Sequence, residues 1–221
     1  MTLKLHVFPP SPRGFKVLVV AHQLGLDYEF VFCDLTKGDQ KSAAYTALNP
    51  NQRMPTLEDG DFKLWESNAI SQYLATKKWE SGLLPRDERA RADVSRWQFW
   101  ESTTWDPACA ILIFERAVKR LFGGGAPDPV EVEKGLQRFN RAASVLDAHL
   151  RGRQYVCGDG LTIADFAIGA ALTMAEPAQL PLESYGEIRR WAGKLAELPA
   201  WQRTRAMQTG IRVQDRNSGK A

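Results

Sequence analysis

Arg53-Met54-Pro55-Thr56-Leu57-Glu58-Asp59-Gly60-Asp61-Phe62-Lys63-Leu64-Trp65-Glu66-Ser67-Asn68-Ala69-Ile70 reads as a β-hairpin entered through a proline and left through a helix start. Thr56 to Glu58 and Asp61 to Leu64 are the strands. Asp59-Gly60 between them is a turn signal, because a tight hairpin needs positive φ. Pro55 cannot donate to a strand ladder, so the backbone beside it loses its usual partner. A cis Met54-Pro55 bond would leave the N–H and C=O of Met54 facing outward as a free edge. After Glu66-Ser67, Ile70, Tyr73 and Leu74 fall at helical spacing. A helix start offers unpaired N–H groups and partial positive charge, which suit a carboxylate. One segment thus supplies an edge for a peptide-like ligand and, one hairpin later, an anion site with an acidic side chain.

Upstream, Leu3, Leu5 and Val7 alternate with Lys4 and His6, the pattern of a strand. Phe8-Pro9-Pro10-Ser11-Pro12 can continue neither sheet nor helix and predicts a loop. From Gly14 the period becomes helical, with Val17, Leu18, Ala21 and Leu24 on one face and Gly25 at the end. Tyr28, Phe30 and Phe32 give a second strand, and Thr36 to Leu48 mixes loop with a short helix. The order is β-α-β-α-β-β-α, a thioredoxin-like α/β domain over residues 1–79 that opens with a right-handed βαβ unit. Ser11 lies between the first strand and the first helix, where ligands bind open α/β sheets. The same position suits a plain helix-capping or turn serine.

Downstream of Trp79-Glu80-Ser81-Gly82-Leu83-Leu84-Pro85, which reads as a linker, strand signals vanish. An all-helical domain is predicted over 86–211. Asp87 to Phe114 is its first long helix, with Pro107 as a kink or break. Asp128, Pro129 and Glu131 open the next helix as a capping-box variant. Its stripe of Val132, Leu136, Phe139, Ala143, Leu146 and Leu150 faces a core. Thr162 and Asp165 cap a third helix, apolar nearly all round and therefore buried. Residues 212–221 read as a polar, mobile tail.

Bulk properties narrow the function. The chain has 221 residues and a formal net charge of +3, with basic residues spread along it, which does not suggest a nucleic-acid partner. No apolar run approaches membrane-spanning length, and the N-terminus has no signal-peptide profile, so a cytoplasmic protein without a membrane partner is expected. Cys33, Cys109 and Cys157 are distant and odd in number, which argues against a disulfide framework, an internal dithiol and a zinc site. His6, His22 and His149 show no ligand spacing, so no metal is expected.

The hairpin-to-helix segment, together with Phe8-Pro9-Pro10-Ser11-Pro12-Arg13-Gly14-Phe15-Lys16-Val17, resembles the glutathione transferase superfamily. It resembles the serine-type members of the phi and theta kind. The Pro12-Arg13-Gly14 stretch is also similar to the bacterial nu-type members. The Gly158 to Asp165 pattern looks like the buried capping motif of the family's helical domain, a folding feature. The resemblance implies a role for each matching residue. Ser11 is the catalytic hydroxyl that donates to the glutathione sulfur. The main chain of Met54 pairs with the cysteinyl part. Glu66 and Ser67 hold the γ-glutamyl amine and carboxylate. Gln40 and Lys41 fall where the family contacts the glycyl carboxylate. Arg53 stands where relatives carry glutamine or lysine, and Gln40 replaces the histidine of many phi-type members. Arg13 would add positive charge, or is a solvated surface arginine. Phe8, Trp105, Phe114 and Arg116 would line the electrophile pocket, although Trp97, Trp100 and Trp105 also fit core packing.

The implied activity is glutathione-dependent conjugation of hydrophobic electrophiles, with glutathione as co-substrate, by a homodimer. A thiol with pKa near ~8.5 is mostly protonated at neutral pH, and the thiolate is the nucleophile. Lowering that pKa by about one unit takes only ~1.4 kcal/mol of preferential thiolate binding. A serine hydrogen bond and a helix N-terminus are sufficient sources. Two other readings stand beside it: a nu-type disulfide reductase or peroxidase using two glutathiones, and a non-catalytic binding module.

Overall fold

The computed structural model describes residues 3–210. The tail at 212–221 lies outside the described residues. Two compact units emerge. The first takes the chain up to Leu84 together with the segment beginning at Leu198; the second is Pro85–Glu197.

The first unit holds a four-stranded sheet of order β2-β1-β3-β4. Strand β1 (Lys4–Val7) runs parallel to β2 (Glu29–Phe32) and antiparallel to β3 (Thr56–Asp59), which pairs antiparallel with β4 (Phe62–Trp65). Gly60 takes φ +66° in the β3–β4 turn, the conformation its lack of a Cβ permits. Helix α1 (Pro12–Gln23) makes the crossover. Pro12 sits in its first turn, where a missing N–H costs nothing. Helix α2 (Ala43–Leu48) follows a 3-10 turn at Asp39–Lys41, and Ser42 caps it by accepting from Tyr45 N–H at 3.2 Å. Helix α3 (Ser67–Thr76) follows β4. Leu5, Val17, Leu18, Leu57, Ile70 and Leu74 are fully buried, each contributing about 1.5–3 kcal/mol by leaving water.

The last helix corrects the sequence expectation. Helix α9 (Pro199–Gly210) packs on α1 and belongs to the first unit, not to a helical domain ending at 211. Phe15 meets Trp201 edge-on with ring centres 4.7 Å apart, and His22 Nδ1 lies 2.7 Å from Thr204 Oγ1. Helix α1 is therefore covered by α3 and by α9. This explains why its whole run from Gly14 to Ala21 is buried, although the sequence shows one apolar stripe.

In the second unit the helix expected to kink or break at Pro107 runs on through a wider turn. Helix α4 (Glu88–Trp100) passes through a π-helical turn, Glu101–Trp105, into α5 (Asp106–Ile113), followed by a second π turn at Phe114–Val118. The proline falls in the first turn of α5, directly after the wider turn. Helix α6 (Pro129–His149) is capped by Asp128, which accepts from Val130 N–H at 2.8 Å. Glu131 does not reach back; it pairs with Lys134. Gly135 lets α5 and α6 approach closely, since a Cβ there would stand 2.8 Å from Leu112. Helices α7 (Ile163–Gly169) and α8 (Gly186–Ala196) complete the unit.

Candidate active site

Strand register brings the key residues to one end of the sheet. Val7 stands opposite Phe32, His6 opposite Thr56, and Thr56 opposite Trp65. The loop after β1, the Met54-Pro55 entrance to β3 and the Glu66-Ser67 exit from β4 therefore leave the same edge. The C-terminal end of β2 lies there too, and its connection carries Gln40 and Lys41.

Ser11 occupies the N-cap position of α1 in extended conformation, yet its hydroxyl makes no capping bond. The loop is held by main chain instead. Ser11 N–H donates to Phe8 C=O and Phe15 N–H donates to Ser11 C=O, both at 2.9 Å. Gly14 permits this tight loop, because a Cβ would lie 2.6 Å from the Phe8 oxygen. The serine side chain is thus left for another acceptor at a helix N-terminus. Phe8 is buried beside Phe32, and Arg13 is exposed on the first turn of α1.

The Met54-Pro55 bond is cis. Met54 precedes the paired residues of β3, and among the described residues no loop main-chain bond engages it. Its flanks are clamped. The carbonyl of Arg53 accepts from Tyr45 Oη at 2.8 Å and from Asn49 Nδ2 at 2.7 Å, while Tyr45 Oη also lies 2.7 Å from Thr56 Oγ1. Only the Arg53 carbonyl is engaged in this clamp; the residue is exposed. Sequence reasoning missed Tyr45 and Asn49, because a tyrosine or asparagine that bonds a nearby carbonyl leaves no periodicity or motif signal.

Glu66 takes φ +73°, ψ +114°, outside the usual regions for a non-glycine residue, and makes no cap bond. That backbone turns the exposed Glu66 and the buried Ser67 at the start of α3. Ser67 C=O accepts from Ser71 Oγ at 2.8 Å, one turn into the helix. Lys16, only 2% exposed, donates from α1 to Asn68 Oδ1 at 3.1 Å and ties the two helix starts together. In the β2–α2 connection, the Oε1 of Gln40 is buried without a partner among the described residues, and Lys41 is exposed. A buried acceptor left open in this way fits a site that completes its bonding with a ligand.

The second unit treats its sequence candidates differently. Trp105 is fully buried, stacked near Trp100 and Phe139, and its Nε1 donates to Ile168 C=O at 2.9 Å. It is a core residue and is withdrawn as a wall of the electrophile pocket. Arg116 donates to the carbonyls of Ala178 and Gln179, at 3.2 and 2.7 Å. Phe114 remains exposed.

The protein's own thiols are unsuited to nucleophilic work. Burial, then Asp39 and Asp34, push the Cys33 thiol up to about 12; burial, then Asp93 and Asp165, do the same for Cys157. Burial, then Asp106 and Glu101, also push the Cys109 thiol well above its ordinary value. All three therefore stay protonated thiols at neutral pH. Among the described residues no group of His, Cys, Asp and Glu side chains is placed to hold a metal ion, and no helix is long and apolar enough to cross a membrane.

Residues 1–76 match the family model for the glutathione S-transferase N-terminal domain, and residues 107–199 match that for the C-terminal domain. The chain is 38% identical over 207 residues to glutathione S-transferase 3 of Zea mays, covering 91% of this chain and 92% of that protein. Glutathione transferase F7 from Populus trichocarpa superposes with a TM-score of 0.86 at 27% identity, over 94% of this chain and 99% of that one. A glutathione transferase from Pseudomonas putida, with one glutathione disulfide bound per subunit, superposes with a TM-score of 0.82 at 28% identity, over 92% and 90%.

Proposed function

Because the chain belongs to the glutathione S-transferase family, we propose that the sheet edge described above binds glutathione and that Ser11 stabilises its thiolate. The observation that carries this reading is the Ser11 hydroxyl, held at a helix start and left unused by the helix it precedes. Met54 main chain takes the cysteinyl segment in an antiparallel, strand-like manner. Ser67 and the first N–H groups of α3 take the γ-glutamyl carboxylate, and Glu66 takes the amine. Gln40 and Lys41 face the glycyl end, with Arg13 and Arg53 adding positive charge around a ligand that carries two carboxylates. The thiolate then attacks an electrophilic carbon, with Ser11 holding the charge until it moves onto the substrate. Hydrophobic electrophiles are the proposed substrate class. A cytoplasmic homodimer completes the proposal, on the strength of the family resemblance.

A second reading is favoured by one observation. The Pseudomonas putida relative holds glutathione disulfide, the oxidised product expected when two glutathiones reduce a disulfide. Retention on immobilised glutathione, eluted by free glutathione, tests the binding site. Purified protein assayed with an aryl halide and, separately, with a small disulfide then divides the two chemistries. Conjugation exceeding reduction supports the first reading, whereas reduction alone replaces it with the second. Failure to bind glutathione at all would overturn both.

A further inference from the structure

Outside the site just described, the helical unit carries a cavity of about 570 Å³ lined by Arg151, Gly152, Arg153, Gln154, Gly158 and Asp159. We propose that it is a second binding site, for a small free molecule bearing a di- or triphosphate group.

The cavity forms where α6 ends. Gly152 turns the chain at φ +69°, and Arg153 N–H closes the turn on Leu150 C=O at 3.0 Å. A helix end carries negative charge on its last carbonyls. That charge is already answered by Arg190, which donates to Leu150 C=O at 3.1 Å and Arg153 C=O at 2.6 Å and pairs with Glu187. Arg151 and Arg153 are therefore in excess of what the helix end needs. Neither makes an ion pair or a side-chain hydrogen bond among the described residues, and they stand on either side of one glycine.

Lys194 adds a third cation at the rim, donating to Gln154 Oε1 at 2.5 Å while lying over the Tyr155 ring. Asp159 is the single acid on the wall. Gly152 and Gly158, both at positive φ, keep side chains off the wall; an added Cβ at either would meet nothing within 4 Å. The size falls within the roughly 300–1,000 Å³ range of small-molecule sites. Paired guanidinium forks match the geometry of phosphate oxygens and gain more from a multiply charged anion than from a single carboxylate.

The test uses inorganic pyrophosphate as the probe, titrated calorimetrically into the full chain at fixed ionic strength. Saturable binding is expected, weakened about tenfold or more in Arg151→Ala/Arg153→Ala, because charge-assisted hydrogen bonds are the strong ones. Asp159→Asn should tighten binding several-fold, by roughly the effect of removing one like charge; a merely structural role for the turn would not produce that sign. Glutathione binding by the same variants reports folding and is expected to stay unchanged. Pyrophosphate affinity equal in wild type and the double arginine variant would overturn the proposal. So would capture by phosphatidate vesicles without pyrophosphate binding, which would make the ligand a lipid headgroup.

Discussion

Ser11 stands at the start of α1 and Thr162 at the start of α7, each a hydroxyl residue in extended conformation at an N-cap. At α7 the capping groups bond one another. Thr162 and Asp165 form a reciprocal capping box, and Asp165 accepts from Thr162 N–H and Oγ1, Val156 N–H and Trp191 Nε1 at 2.8 to 3.0 Å. Burial pushes the Asp165 carboxyl upward, and these four donors pull it back. At α1 the corresponding hydroxyl makes no cap bond, and among the described residues the sheet edge beside it also holds a Met54 main chain with no loop bond, a strained Glu66 and an unpartnered Gln40 Oε1. Bonding closed on itself stabilises a fold; bonding left open at a convergent edge is what a ligand site requires.

The largest effect should come from breaking the closed side. Asp165→Ala leaves four buried donors without an acceptor, and urea denaturation should show a loss of at least about 3 kcal/mol. Activity per folded molecule should be unaltered. The open side should behave in reverse. Ser11→Ala should lower turnover about 10- to 150-fold, the value of a hydrogen bond to a charged group, ~1.5–3 kcal/mol. Its denaturation midpoint should be unchanged, since no cap is lost, and glutathione affinity should move little. Equal loss of binding and turnover would contradict the assigned role.

Gly14→Ala joins the two sides. The added methyl collides with the Phe8 carbonyl, so stability should fall by about 1–3 kcal/mol as for other overpacked sites. Turnover should fall with it, because that carbonyl holds the Ser11 loop. A pH-dependent effect concerns the α1–α9 contact. His22, between Thr204 and the Tyr28 hydroxyl, is lowered to about 4 by burial and then by Arg203. The unfolded chain binds this proton near pH 6.5, so the neutral form's contribution is complete above ~6.5 and is lost as pH falls toward 4. His22→Gln should flatten denaturation midpoints measured between those pH values.

Much of this was legible in the sequence because it is local. Asp59-Gly60, the alternating strands and the Thr162–Asp165 pair each carry their cause within a few residues. So did the site motifs, since Ser11, Pro55 and Glu66-Ser67 each sit at an element boundary visible as a change of period. What escaped was non-local. Trp105 carries the same aromatic signal in a core as in a pocket wall, and only its partners Ile168 and Phe139 decide between them. The place of α9 depends on its contact with α1, nearly two hundred residues away in the chain. The tie from Lys16 to Asn68 escaped for the same reason.

The central claim is that the first unit lowers the pKa of a thiol it does not own. Ultraviolet absorbance of the thiolate, followed through a pH titration of the glutathione complex, reads that quantity directly. The wild-type complex should titrate at least about one unit below the free thiol value near ~8.5, and the Ser11→Ala complex should return most of the way to it. Identical titration curves for the two complexes would contradict the account.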